Sequence, residues 1–354
     1  MNKIIDIFKK QESIPLDKFI NIVLYDKKFG YYMKKNPFGT EGDFITSPLI
    51  SNLFGEMIAV WCVAYWEYLG KPKKIIIVEL GPGEGSLCNN LLKTFKKFKD
   101  FYNCLEINLL EISGKLKKIQ NNKIKNSKVK WINSINNINY GPIIFFGNEF
   151  FDSLPIKQIY KKGNLLFEKH VALSNNKENL KFLYKKISKK LIQYNDIINL
   201  SSSKNMIEYP IEAIEYLKII SKKIHKFNGC LLAFDYGYIL DKNQNTLQSV
   251  MKHRYKNIFS QVGNSDITSL VNFALFNKIL RKNNLNVKKI VTQREFLQKM
   301  GILERANILS QKMTFKSKAN MYYRIKRLLD SREMGDLFKV LFAQKKDGKF
   351  SLGF

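Results

Sequence analysis

The chain predicts an α/β protein built on an open, mostly parallel sheet, and three observations carry that expectation. Short apolar runs rich in β-branched residues recur between stretches of helical character. Polar residues and glycines gather just past the C-terminal ends of most of them, as at Glu79 and Gly81, Glu111, Asn148 and Glu149, and Asp235. About eighty residues separate the fourth run from the fifth, far more than one crossover helix needs. The first two observations place a ligand site along the C-terminal edge of the sheet. The third implies an inserted subdomain beside it.

In chain order, residues 1–70 form a helical extension around a loop. Ser13 is placed to cap a helix running through Pro15 to about Lys27. From Phe29, Gly30, Tyr31 and Tyr32 to residue 46 the chain shows no period, which suits a lid or binding loop as well as an ordinary surface loop. Ser47-Pro48 marks a helix start, with Leu49, Leu53, Met57, Val60 and Trp61 on one face. Ile75–Val78 is an apolar strand without alternation, covered on both faces. Further strands are expected at Leu105–Leu110, Val129–Ile132, Ile143–Phe146 and Cys230–Phe234. Within the long connection, 158–173 has the pattern of a hairpin, 180–200 of a helix, and a helix from Pro210 leads back to the sheet. Residues 335–347 supply a last strand and turn. The expected division is a sheet domain of 71–152 and 210–354, with 153–209 inserted.

Charge and composition exclude more than they identify. The net charge is +30, from 53 lysines and only 7 arginines, and 35 asparagines accompany them. A protein that reads phosphates and bases would favour arginine for planar, bidentate contacts. The lysine excess therefore points to compositional drift, with non-specific attraction to polyanions as its consequence. The 4 cysteines form no CxxC pair and the 3 histidines no HExxH spacing, so neither a disulfide framework nor a histidine-based metal site is expected. The most apolar stretch near the front, 57–70, carries Glu67 and is too short to span a membrane. Asp6 and Glu12 argue against a transit peptide, which leads to the expectation of a cytoplasmic protein. Oligomeric state is left open.

The segment VELGPGEGSL, residues 78–87, concentrates the chemistry. Glycines at every second position after a strand let a ligand approach the backbone N–H groups, and the following helix adds its positive dipole end. The segment lacks the GK[ST] of a phosphate loop, and Ser86 stands where GxGxxG needs its third glycine. Glu79 would repel a pyrophosphate but suits a ligand with ammonium and sulfonium groups. Glu111, at the end of the second strand, is placed to accept both hydroxyls of a ribose. Glu79, Gly81, Gly83, Gly85 and Glu111 together fit S-adenosyl-L-methionine better than a dinucleotide.

At this point the chain resembles the MidA/NDUFAF-type proteins, a branch of the class I S-adenosylmethionine-dependent methyltransferases. The resemblance is carried by GDFITSPLISNLFGEMIAVW (42–61), VELGPGEGSL (78–87), NEFFDSLPIKQ (148–158), LAFDYGY (232–238), TLQSVMKHR (246–254), GNSDITSLVNF (263–273) and TQREFLQKMGILERA (292–306). It implies a Rossmann-like sheet of seven strands, six parallel and one antiparallel. The mitochondrial members of that branch act as protein arginine methyltransferases in assembly of respiratory complex I. Glu84 and Ile112 depart from the arginine and proline usual in the branch.

The resemblance also assigns Asp43, Thr46, Ser47 and Asn148 to the cofactor side, although Ser47 has an ordinary alternative as a helix cap. An arginine acceptor is protonated in water and needs carboxylates to orient it and collect its proton. Glu149 and Asp152, just past the fourth strand, are the candidates, with Tyr236 to orient the acceptor and His253 as a proton relay. Asp152 as a helix cap and Phe150 and Phe151 as wall or core are the plainer readings. A nucleic-acid methyltransferase would carry [ND]PP[YF] after this strand, where the chain has Asn148-Glu149-Phe150-Phe151. A non-catalytic assembly factor remains the other alternative.

Overall fold

A computed structural model describes residues 6–8, 11–34, 47–163, 165–174, 179–187, 206–240, 245–251 and 254–354. The main sheet contains β1 (Ile75–Leu80), β2 (Leu105–Leu110), β3 (Val129–Ile132), β4 (Ile143–Asn148), β5 (Gly229–Tyr238), β6 (Leu285–Val287) and β7 (Phe338–Lys345). Their spatial order is β3-β2-β1-β4-β5-β7-β6. Neighbours from β3 to β5 are parallel. β7 runs antiparallel to both β5 and β6, which leaves β6 aligned with the rest. This is the Rossmann-like class I methyltransferase sheet with the expected single reversed strand. Two-residue strands at Val271–Asn272 and Val291–Thr292 add to β5 and β7.

The absence of alternation in β1 has its cause in the layers. Ile75 and Ile77 pack into a core with helix Asn52–Tyr68, while Ile76, Val78 and Leu80 face a second core with helices Ile211–Phe227 and Phe273–Lys282. Every residue of β1 is buried. The strand order reverses between β1 and β4, which brings the loops after neighbouring parallel strands together at one edge.

The long connection forms its own antiparallel sheet. Lys157–Lys162 and Leu165–Leu173 pair as the expected hairpin, and Met206–Tyr209 joins its outer side. Leu180–Lys186 is a strand, not the start of a helix, and pairs along 167–173. Leu180, Phe182 and Tyr184 alternate with lysines or leucine at period two, and Leu180 and Phe182 pack in a third core. Residues 188–200 of that expected helix lie outside the described residues.

The N-terminal extension departs from expectation in several places. Ser13–Pro15 is a strand paired with 170–172, so Ser13 caps nothing, and its hydroxyl lies 3.2 Å from His170 Nδ1. Helix Leu16–Tyr25 starts after Pro15 without a side-chain cap and ends before Lys27. Tyr31–Lys34 is a short helix. Ser47–Ile50 is another, and the long helix begins only at Asn52, capped by Ser51 through Leu53 N–H. Val60 is exposed, because Phe54, Ile58, Cys62 and Tyr65 widen the buried side and leave it facing solvent. At the other end a helical turn, Met334–Leu337, precedes β7. Among the described residues no helix is long and apolar enough to cross a membrane.

A carboxylate-lined cavity as candidate active site

After Leu80 the chain turns through Gly81, Gly83 and Gly85 with φ of +63°, +54° and +76°. This left-handed backbone costs a residue with a Cβ about 1–2 kcal/mol. A Cβ on Gly81 would also stand 2.9 Å from Phe150 Cδ2. Gly85 then serves as the N-cap of helix Ser86–Phe95. Glu111, at the end of β2, is buried and accepts the Ser113 N–H at 2.7 Å and Gln120 Nε2 at 3.0 Å. The same Gln120 nitrogen donates to Gly83 O at 2.7 Å, and its oxygen accepts Trp131 Nε1 at 2.8 Å. Burial pushes the Glu111 carboxyl up, and these hydrogen bonds oppose it. Gln120 escaped sequence reasoning; its one signal was a place four residues after Leu116 on the buried side of its helix.

Two acids of the loop lie elsewhere. Glu84 pairs with Lys123 at 3.1 Å, so the departure from arginine is absorbed at the surface. Glu79 follows Ile75 and Ile77 on the face toward helix Asn52–Tyr68 and is not among the residues that line the cavity. Burial pushes it up to about 8, and its Oε2 has no hydrogen-bond partner.

A cavity of about 520 Å³ opens at the ends of β1, β2, β4 and β5. Gly81, Gly83, Leu110, Glu111, Ile112 and Leu116 line one side. Glu149, Asp152, Glu212, Asp266 and the tyrosines Tyr25, Tyr32, Tyr216, Tyr236 and Tyr255 are among the residues lining the remainder. Among the described residues five carboxylates and no lysine, arginine or histidine face it, in a chain of net charge +30.

The loop after β4 is held by the strand beside it. Asp235, fully buried on β5, accepts the N–H of Phe151 at 2.8 Å and of Asp152 at 3.3 Å on one oxygen, and of Tyr236 at 2.9 Å on the other. Burial pushes Asp235 up to about 8. Glu149 has φ +54°, a strained conformation for a non-glycine residue. Its carboxylate accepts Asn148 Nδ2 at 3.0 Å and the Ser47 backbone N–H. Burial, then the nearby Asp152, raise it to about 8. Asp152 is buried with Oδ1 unpartnered, and burial, Asp235 and Asp266 raise its carboxyl well above the usual range. Residues 151–154 form a turn, so Asp152 caps no helix. Phe150 and Phe151 are buried wall residues.

The remaining candidates scatter. Tyr236 lines the cavity with its ring 3.9 Å from that of Phe338. Asn148 reaches the site only through Glu149. Ser47 is buried and its hydroxyl donates to Gln293 Oε1 at 3.2 Å, away from the cavity. Asp43, Thr46 and His253 lie outside the described residues. Asp235 was noticed only as a strand end and Asp266 not at all, although both sit in quoted motifs. Among the described residues no group of three or more histidines, cysteines or carboxylates is arranged to hold a metal.

Comparisons with known proteins agree with this fold. Residues 57–291 match the family described as S-adenosyl-L-methionine-dependent methyltransferase. The protein arginine methyltransferase NDUFAF7, mitochondrial, of Xenopus tropicalis is 29% identical, over 96% of this chain and 84% of its own. The human protein of that name is 26% identical, over 93% and 80%. A protein from Burkholderia thailandensis, crystallised with bound S-adenosyl-homocysteine, superposes with a TM-score of 0.82 at 20% identity, over 99% of this chain and 92% of that one. The curated relatives are mitochondrial proteins, which overturns the expectation of a cytoplasmic one. With its sheet, its glycine turn and a match over most of its length, the chain belongs to this family of S-adenosyl-L-methionine-dependent methyltransferases.

Proposed function

We propose that the chain methylates an arginine nitrogen of a protein, with a respiratory complex I subunit as the acceptor its family resemblance suggests. The observation that carries this reading is the lining of the cavity: among the described residues, five carboxylates and no basic side chain. Such a cavity favours cations and rejects phosphates. The glycine turn, which a Cβ would obstruct, and Glu111 fit the cofactor, with Glu111 on the ribose hydroxyls and Gly81 and Gly83 admitting the ligand to the backbone. When bound, S-adenosyl-L-methionine supplies a methyl group on a sulfonium.

The protein's share is positioning and charge. In-line transfer requires the acceptor nitrogen to face the methyl with its lone pair aligned. Glu149 and Asp152 hold the guanidinium, draw its positive charge onto the other nitrogens and accept the proton released on methylation. Burial raises their proton affinity, and a cationic acceptor held between them favours the ionised form that then takes up the released proton. Tyr236 forms a wall beside them. Labelled S-adenosyl-L-methionine incubated with the protein and extract of the source cells tests the reading. Label is expected in protease-sensitive material. Label confined to nuclease-sensitive material would support a nucleic-acid substrate instead.

A further inference from the structure

We propose that Asp266 and Tyr32 complete the acceptor site, as a distal subsite that grips the guanidinium nitrogens not being methylated. This rests on the arginine reading above. Asp266 is buried at 2% exposure, at the start of strand Asp266–Thr268, and lines the same cavity as Asp152. Its Oδ2 accepts the Tyr32 hydroxyl at 2.8 Å and its Oδ1 the Ile267 N–H at 2.9 Å. Two connections fix it relative to Asp152. Ser269 N–H donates to Asp152 O at 3.1 Å. The Tyr32 ring stacks on Tyr25 at 5.5 Å, and the Tyr25 hydroxyl donates to Ser153 O at 2.9 Å.

The feature that calls for a ligand is Asp152 itself. It is 9% exposed, lines the cavity, and its Oδ1 lacks any hydrogen-bond donor. A buried acceptor of this kind is costly unless something supplies the missing N–H. Among the described residues no cationic side chain faces the cavity to do so. A guanidinium presents five N–H groups in one plane, enough to serve Asp152, Asp266 and Glu149 together, whereas an ammonium is a compact point charge. The N-terminal extension thereby takes part in acceptor recognition through the side chains of Tyr32 and Tyr25.

The test is calorimetric titration of N-acetyl-arginine amide, and of its neutral citrulline analogue, into full-length protein saturated with S-adenosyl-homocysteine. Wild type is expected to bind the arginine probe and not the citrulline one. Asp266→Asn should weaken arginine binding at least tenfold, and Tyr32→Phe several-fold, with S-adenosyl-homocysteine affinity unchanged in both. Undiminished arginine binding in both variants overturns the subsite and leaves the arginine reading standing. Wild type that binds neither probe, or both alike, overturns the arginine reading and this inference with it.

Discussion

Asp235 accepts the backbone N–H of Phe151 at 2.8 Å, across from one strand end to the loop of the next. That bond, with its neighbour to Asp152, sets the course of the segment carrying Glu149 and Asp152. On the proposed function, Asp235 is a positioning residue that acts through Glu149 and Asp152. Asp235→Asn keeps the shape but offers one acceptor oxygen where two now serve three N–H groups. A stability loss of about 1–3 kcal/mol is expected from the unsatisfied group. The methylation rate should fall at least tenfold with cofactor affinity nearly unchanged. Denaturant melts and initial rates check both; full activity would remove Asp235 as the positioning residue.

Glu149 and Asp152 should separate rate from binding. Glu149→Gln is expected to lower methylation by about 10²–10⁴-fold, the usual worth of a positioned base, while S-adenosyl-homocysteine titrates as in wild type. Asp152→Asn should also slow transfer but should not lower the melting temperature, because it caps no helix and its buried carboxylate oxygen is already unpartnered. A drop in cofactor affinity parallel to the rate would place either residue with the cofactor.

One amide side chain spans the cofactor half. Gln120 links Glu111 to Gly83, so Gln120→Leu removes one donor from the carboxylate and one from the turn while the Ser113 N–H still holds Glu111. Cofactor affinity should fall about tenfold or more, in line with one or two charge-assisted hydrogen bonds. Gly83→Val, at φ +54°, should abolish binding outright. Calorimetry with S-adenosyl-homocysteine decides; wild-type affinity in Gln120→Leu would leave the link without function.

The buried acids also make a pH prediction. Glu79 and Glu149 rise from 4.5 to about 8, and Asp235 from 3.8 to about 8. Between these values the folded protein holds protons that the unfolded chain has released. Their contribution to stability is therefore full below pH about 4 and is lost as pH rises through about 8. The melting temperature of Glu149→Gln relative to wild type should accordingly increase from pH 6 to pH 9, on the order of degrees. A difference that stays flat or shrinks over that range would show that Glu149 is not held protonated.

The framework was legible because β1 and β4 announce themselves: uninterrupted IIIV and IIFF between helices require two covered faces. The glycine turn was legible because its positive φ values favour glycine, and Glu111 because an acid directly follows a strand at the same edge. Leu180–Lys186 misled because its alternation is brief and lies among lysines that fit any exposed helix. Ser13 misled because pairing with Ala172 on a strand distant in sequence outcompeted a local cap. Asp235, Gln120 and Asp266 stayed hidden for one reason. Their partners, Phe151, Gly83 and Tyr32, are brought to them only by the tertiary fold, so no spacing along the chain records the contact.

The most direct measurement is amino-acid analysis of acid-hydrolysed protein labelled from methyl-tritiated S-adenosyl-L-methionine, run in parallel with wild type and Glu149→Gln. Label in methylarginine with wild type, and its near-complete loss with Glu149→Gln, is the predicted result. Label in methyllysine, label released as volatile methanol from a carboxyl ester, or equal methylarginine from both proteins, would contradict the assignment of the acidic cavity to an arginine acceptor.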